Sequence, residues 1–353
     1  MRLSCFSVAD AYPGAPVDRL TQLLELAERC ERYHLHAFWV GEHHFHSGGV
    51  CPAPSVVLAA AGARTRTVRL GSLVSVLPFH DPVDTAEQFA LVDRLTQGRL
   101  NFGVGSGYVP LEFEGFGVRA EEKRRLLDQN LGTILAAFRG EEVRVRGGQR
   151  AVRINVVPVQ RPNPPVWVAA QRRASVPSVG RAGHSIALLP YATVEDLTAL
   201  RALIREFRRE VLPGASPTVS VAVHLSVGQG TEGPRQALQR YLDTRMAVLS
   251  DHLPGAPSTH RVPPSAQDIE DRGFALFGAA RDVRSGIEDL YRAGVDEVLG
   301  LFDFGGLPLA GAIRSMEQVA RMFVPEAPGR GSSMAEGQPP SFAGTRAGAI
   351  SVF

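Results

Sequence analysis

Ala37-Phe38-Trp39-Val40-Gly41-Glu42-His43-His44-Phe45-His46 runs from four apolar residues, through a glycine, into a loop of one carboxylate and three imidazoles. The apolar part has the length and character of a short strand, and the polar part has the chemistry of a site. Working outward, residues 17–33 place Val17, Leu20, Leu24 and Ala27 on one helical face, and residues 55–64 read as a second helix. Residues 3–8 read as a strand before them. The same grammar continues with strands at 69–77 and 100–104 and helices at 83–96 and 121–138. Strands alternating with helices imply parallel strands joined by crossover helices.

The rhythm loosens at 141–165, which is rich in Arg, Gly and Pro and predicts a small β excursion at the surface. Strands resume at 166–170, 185–189, 218–227 and 297–302. Helices are expected near 178–182, 194–211, 234–249, 282–293 and 309–323. Eight strand–helix pairs is the count of a TIM (β/α)8 barrel, and this favours a closed α/β barrel over an open doubly wound sheet. The expected organisation is one barrel over residues 1–325 with insertions at about 141–165 and 250–278, the latter a candidate lid over Asp251 to Gly278. A Gly-, Pro- and Ser-rich tail at 326–353 is expected to be disordered.

The formal net charge is +2, with 38 basic against 36 acidic residues, so no basic excess points to nucleic acid or a membrane surface. Lys123 is the single lysine. Cys5, Cys30 and Cys51 lie in or beside apolar segments without CxxC spacing, as expected of buried free thiols in a reducing compartment. With neither a signal-like apolar core nor a run of ~18 apolar residues, a cytoplasmic protein is expected.

Placed after a barrel strand, the Glu42–His46 segment falls on the carboxyl-terminal rim, where barrel enzymes carry their active sites. Its histidines admit three readings. His44 and His46 could face one side of an extended segment and share a metal with His80 or His184. An imidazole could instead serve as acid or base near neutral pH. The third reading is hydrogen-bonding packing alone. A second feature, Leu100-Asn101-Phe102-Gly103-Val104-Gly105-Ser106-Gly107-Tyr108, is a strand running into glycines that would let backbone N–H groups approach a phosphate or a flat ring. It is a poor dinucleotide fingerprint: its third glycine comes too early, and Pro110 opposes an immediate helix start. A plain tight turn stays open. The stretch from Gly71 to Pro82 reads as a core strand and a proline-bounded loop.

Taken in order and spacing, these segments resemble the bacterial-luciferase family of flavin-dependent monooxygenases over about residues 1–325. The resemblance rests on Glu42-His43-His44-Phe45, the strand from Gly71 to Pro78 followed by His80-Asp81-Pro82-Val83, then Asp93, Leu95, Gly98 and Arg99 before Gly103–Gly107. Phe304-Gly305-Gly306-Leu307-Pro308 ahead of the last helix adds to it. It implies a TIM barrel that binds FMN at its carboxyl-terminal end, commonly as a homodimer, and uses reduced flavin and dioxygen through flavin-peroxide chemistry. His43 matches a histidine implicated in proton transfer, and His44 is the second acid/base candidate. Leu73 and Val74 match a position where the family often has a non-proline cis peptide beneath the flavin. Gly105, Ser106 and Gly107 match the backbone beside the ring. Arg124, Ala169, Ala170 and Gln171 match phosphate-binding positions. No metal is implied.

Two departures bear on the cofactor. Ser106 stands where a second phosphate-binding arginine is usual, so Arg172 or Arg173 is expected to supply that charge, and Gln171 lacks the usual serine hydroxyl. Phe6, Trp39, Tyr108 and Phe302 are candidates for an apolar wall that excludes water. No nicotinamide-binding domain is visible, so a transient flavin reductase is the expected partner. The expected reaction is oxygenation of a small organic, polyketide-like or carbonyl substrate of secondary metabolism. A deazaflavin-dependent hydride-transfer enzyme on the same barrel, a non-catalytic flavin-binding barrel and a metal-dependent hydrolase remain alternatives.

Overall fold

The computed structural model describes residues 1–12, 19–145, 147–148, 150–228, 230–250 and 265–323. Eight parallel strands form the wall: β1 Arg2–Ser7, β2 Ala37–Val40, β3 Arg69–Ser72, β4 Leu100–Gly105, β5 Val166–Ala170, β6 Ser185–Leu188, β7 Val219–Val227 and β8 Glu297–Leu301. Each pairs with the next, and β8 returns to β1 in the register Arg2↔Glu297 through Cys5↔Gly300. The sheet is therefore closed. The fold is the expected α/β barrel, with helices such as Arg19–Arg32, Pro82–Leu95 and Lys123–Phe138 as the outer layer.

The barrel interior carries a polar layer. Glu297 accepts hydrogen bonds from Ser4 Oγ at 2.6 Å, Ser220 Oγ at 2.8 Å and Trp39 Nε1 at 3.2 Å. Trp39 meets Trp167 edge to face at 5.0 Å. Burial raises the carboxyl of Glu297 above its ordinary range, and its three donors pull it back only in part. Trp39 thus fills the interior rather than walling the mouth. Phe6 and Phe302 are buried too, and Tyr108 alone of the four wall candidates is partly exposed.

The excursion at 141–165 contains a two-stranded antiparallel pair, Val143–Arg144 with Ala151–Val152. The second insertion needs correction. β7 is longer than its neighbours, and β8 covers only Ser220 to His224 of it. Its carboxyl half is paired by a further parallel strand, Ala275–Gly278, entered from the short helix Ala266–Asp271. Unpaired backbone at that depth would be costly, so this part of the expected lid is barrel wall. Residues 251–264 and the tail at 326–353 lie outside the described residues.

Gly103 shows how tightly the wall is drawn toward the rim. Its amide and carbonyl both bond Ser72 Oγ, at 3.1 and 2.8 Å, and a Cβ there would sit 1.9 Å from the Ser72 carbonyl oxygen. Gly103→Ala is expected to cost about 3 kcal/mol or more, because backbone must move to admit the methyl group. A urea denaturation midpoint equal to the wild type would contradict it.

Candidate active site

The carboxyl ends of β2, β3 and β4 meet at one side of the mouth. Beyond β3 the Leu73–Val74 peptide is cis, and Ser75–Val76 then pairs with Val104–Gly105. A Cβ on Gly105 would fall 2.6 Å from Val74 Cγ2, so the glycine is what lets the two backbones close up beside the half-buried Val74. Gly107, at φ +74°, turns the chain away from β4. The histidine loop and the glycine-lined strand end therefore converge.

The loop after β2 does not alternate as an extended segment would. Phe45 has φ +66°, and this sends its neighbours to different carboxylates. His44 Nε2 bonds Glu42 Oε1 at 3.1 Å, an oxygen shared with His80 Nε2 at 2.7 Å. The other Glu42 oxygen accepts from Val76 N at 3.2 Å. His46 Nε2 instead bonds Glu112 Oε1 at 3.1 Å, which also takes His43 Nδ1 at 2.9 Å and His44 N at 3.0 Å. Glu42–His44–His80 and His43–His46–Glu112 are each compact enough to offer three ligand atoms to a metal. Neither joins His44 to His46, so of the three readings left open by the sequence the ion shared by those two histidines is not the arrangement formed. His184 precedes β6 and belongs to the opposite rim.

Charge states follow from these contacts. Burial opposes ionisation of Glu112, but the bonds from His43 and His46 overcome it and hold its carboxyl at about 2. Burial likewise holds His43 below the ordinary imidazole range against the pull of Glu112. A neutral His43 beside a carboxylate places its proton on Nδ1 and its lone pair on Nε2. That lone pair faces the Tyr108 hydroxyl at 3.4 Å. His46 Nδ1 accepts from Gly48 N at 3.1 Å, so its proton also sits on the nitrogen facing Glu112. Glu42 lies below the usual carboxylate range because His44 and His80 outweigh its burial, and His80 is raised in return. His44 packs its ring against Phe116 at 4.7 Å, in a cluster with Phe45 and Phe79. His43 turns its Nε2 to Tyr108, whereas His44 braces the loop against Phe116.

Along the same rim lies a cationic edge. Lys123 Nζ donates to the Gly107 carbonyl at 3.2 Å. Burial first, then Arg172 and Arg124, push its ammonium below the usual range. Arg124 donates through Nη2 to Ser175 Oγ. Among the described residues none of these three cations has a carboxylate within ion-pair distance. Lys123 and Arg124 also open the helix Lys123–Phe138, where the helix dipole disfavours positive charge. Arg173 points elsewhere and pairs with Glu206. Of the two substitutes expected for the missing arginine, Arg172 is placed at this edge and Arg173 is not. Ala169 and Ala170 continue β5 in register with Ala187 and Leu188, and Gln171 is exposed beyond them. Glu112 and Lys123 were not singled out as site residues from the sequence.

A family model described as luciferase-like monooxygenase matches residues 1–297. The chain belongs to that family. The luciferase-like protein is accordingly an enzyme, a flavin-dependent monooxygenase by family. It is 26% identical over 288 residues to 4-hydroxyprotoasukamycin monooxygenase of Streptomyces nodosus subsp. asukaensis, a match covering 76% of each chain. It is also similar to the solved monooxygenase RslO1 of Streptomyces bottropensis, with TM-score 0.80, 25% identity, and coverage of 92% of this chain and 99% of that one. More distant structures of the same fold include the oxygenating constituent of a Pseudomonas putida diketocamphane monooxygenase in complex with FMN and a secondary alcohol dehydrogenase dependent on coenzyme F420. These show TM-scores of 0.72 and 0.70 at 15% identity. No helix among the described residues is long and apolar enough to cross a membrane.

Proposed function

We propose that this luciferase-like protein is an FMN-dependent monooxygenase that oxygenates a small organic substrate, with His43 as acid/base and reduced flavin arriving from a separate reductase. The supporting observation is the uncompensated cationic edge of Lys123, Arg124 and Arg172 beside the glycine-lined end of β4. Three cations that meet no carboxylate among the described residues call for an anion, and a terminal phosphate suits this edge by charge. The close approach of the backbones at Val74 and Gly105 leaves no bulky side chain there, which suits a planar ring.

When bound, the reduced flavin would supply the electrons that activate dioxygen. The chain's own residues do the rest. Lys123, Arg124 and Arg172 would hold the phosphate. Glu112 fixes the His43 tautomer, and His43 Nε2 takes or returns a proton beside the reacting oxygen. Tyr108 closes the site laterally and, pushed by burial to about 12, keeps its hydroxyl proton at neutral pH. Glu42 ties together the His44 ring, His80 and the Val76 amide, so the loops after β2 and β3 keep their spacing.

Chemically reduced FMN with labelled dioxygen and a panel of carbonyl and aromatic metabolites tests the reading. One labelled oxygen atom is expected in the product, and NAD(P)H without a reductase should sustain little turnover. Dioxygen-independent hydride transfer with a deazaflavin would replace it, and a protein that binds FMN yet yields no labelled product with any substrate would count as a flavin carrier.

A further inference from the structure

The long helix Glu232–Ser250 brings a second, separate cation to the mouth. Arg245 lies on it one turn beyond Tyr241 and lines a small cleft with His46, Gly48, Tyr108, Val109, Val248 and Leu249. Its guanidinium stacks between two rings, 5.1 Å from the centre of Tyr108 and 5.3 Å from that of Tyr241. Nη2 donates to the Tyr108 hydroxyl. Among the described residues no carboxylate lies within ion-pair distance of it.

The groups facing Arg245 do not neutralise it. Burial raises the hydroxyls of Tyr108, Tyr191 and Tyr241, so all three stay protonated at neutral pH. His43 and His224 are held neutral by burial, His224 down to about 3. Glu112 joins this network through His43 and Tyr108, and its one engaged oxygen already carries His43, His46 and the His44 amide. Fully buried His224 stands 5.1 Å from the Tyr241 ring with both ring nitrogens unpartnered. Aromatic faces offset part of the cost of desolvating a guanidinium, but they leave its charge in place.

We infer that Arg245 anchors the substrate, and that the substrate is an organic acid carrying its negative charge on oxygen. The inference rests on the reading of His43 as the acid/base of this site. Tyr108 joins the two, because its hydroxyl takes the Arg245 hydrogen bond and lies 3.4 Å from His43 Nε2. An acid held by Arg245 is therefore seated beside the proton-transfer group. The remaining guanidinium donors form a planar fork that fits a carboxylate, or an enolate or phenolate oxygen with its neighbour. Arg245 bonds Tyr108, whereas Lys123 bonds the Gly107 carbonyl beside Arg172 and Arg124, so the two anions would meet different cations.

Calorimetric titration with sodium benzoate and with benzamide, its neutral match, tests the assignment at constant ionic strength, with and without FMN. Wild-type protein is expected to bind benzoate at least about tenfold tighter than benzamide. R245Q should abolish that preference, R245K should keep part of it, and FMN affinity should stay within about twofold in both. Equal binding of the two probes, no benzoate binding to wild type, or a preference that survives R245Q would overturn it. So would a parallel loss of FMN and benzoate, which would give Arg245 to the cofactor. A protein indifferent to FMN that keeps the Arg245-dependent preference would sink the proposed function while supporting Arg245 as the anchor of an organic acid. Thermal melting of both variants identifies a misfolded sample, and R245K with the wild-type comparison then decides.

Discussion

Glu112→Gln is expected to lower kcat by about 10²-fold or more while leaving FMN affinity nearly unchanged, since correct tautomer and orientation of an acid/base group are worth roughly this much. Glutamine has the size of glutamate but offers a neutral oxygen and an amide that donates. One carboxylate oxygen now accepts from His43 Nδ1, His46 Nε2 and His44 N. The amide would either lose one of these bonds or turn a donor toward an N–H. His43 would then be free to move its proton to Nε2, the nitrogen that must act as base. The pH profile separates this role from mere packing. Burial lowers the His43 imidazole and Glu112 opposes that shift. Without the negative charge the imidazole falls further, so the acidic limb of the kcat profile should move to lower pH in the variant. His43→Ala should be at least as damaging, at roughly 10²–10⁴-fold. An unmoved acidic limb with wild-type kcat in E112Q would remove Glu112 from the mechanism.

The double charge reversal Lys123→Glu with Arg172→Glu is expected to weaken FMN binding by about 10²–10⁴-fold, from two charge-assisted contacts of roughly 1.5–3 kcal/mol each. Riboflavin, which has the same ring and no phosphate, should bind both proteins alike. Arg173→Ala serves as the control, because Arg173 is committed to Glu206 at the surface. Arg172→Ala alone should fall between. The effect should shrink with added salt, because Arg172 is exposed. Equal loss of riboflavin and FMN would mean that the reversal damages the rim rather than a phosphate site, and unchanged FMN affinity would move the cofactor elsewhere.

Much of the architecture could be read locally. Short apolar strands alternating with one-faced helices set the secondary structure, because periodicity is a property of neighbouring residues. The misses have local causes of another kind. Proline at 110 reads as a barrier to a helix, yet a proline in the first turn is tolerated where its missing N–H would be unpaired in any case. The helix Pro110–Gly115 indeed starts there and carries Glu112 into the site. His44 and His46 look equivalent in an extended segment until the positive φ of Phe45 divides them. The strand Ala275–Gly278 follows a proline-containing segment and finds its pairing partner only in the spare length of β7.

From sequence alone came the eight-fold alternation, the placing of the histidine cluster on the carboxyl-terminal rim, and the family with its flavin. Only the folded chain could decide that β8 closes on β1 and that Arg172, not Arg173, joins Lys123 at the rim. It alone could decide that a carboxylate 69 residues from His43 holds that imidazole's proton in place. The division follows from range. Propensity and hydrophobic period act over a few residues and survive in the string of letters, whereas charge states and tautomers depend on which distant groups the closed barrel buries together.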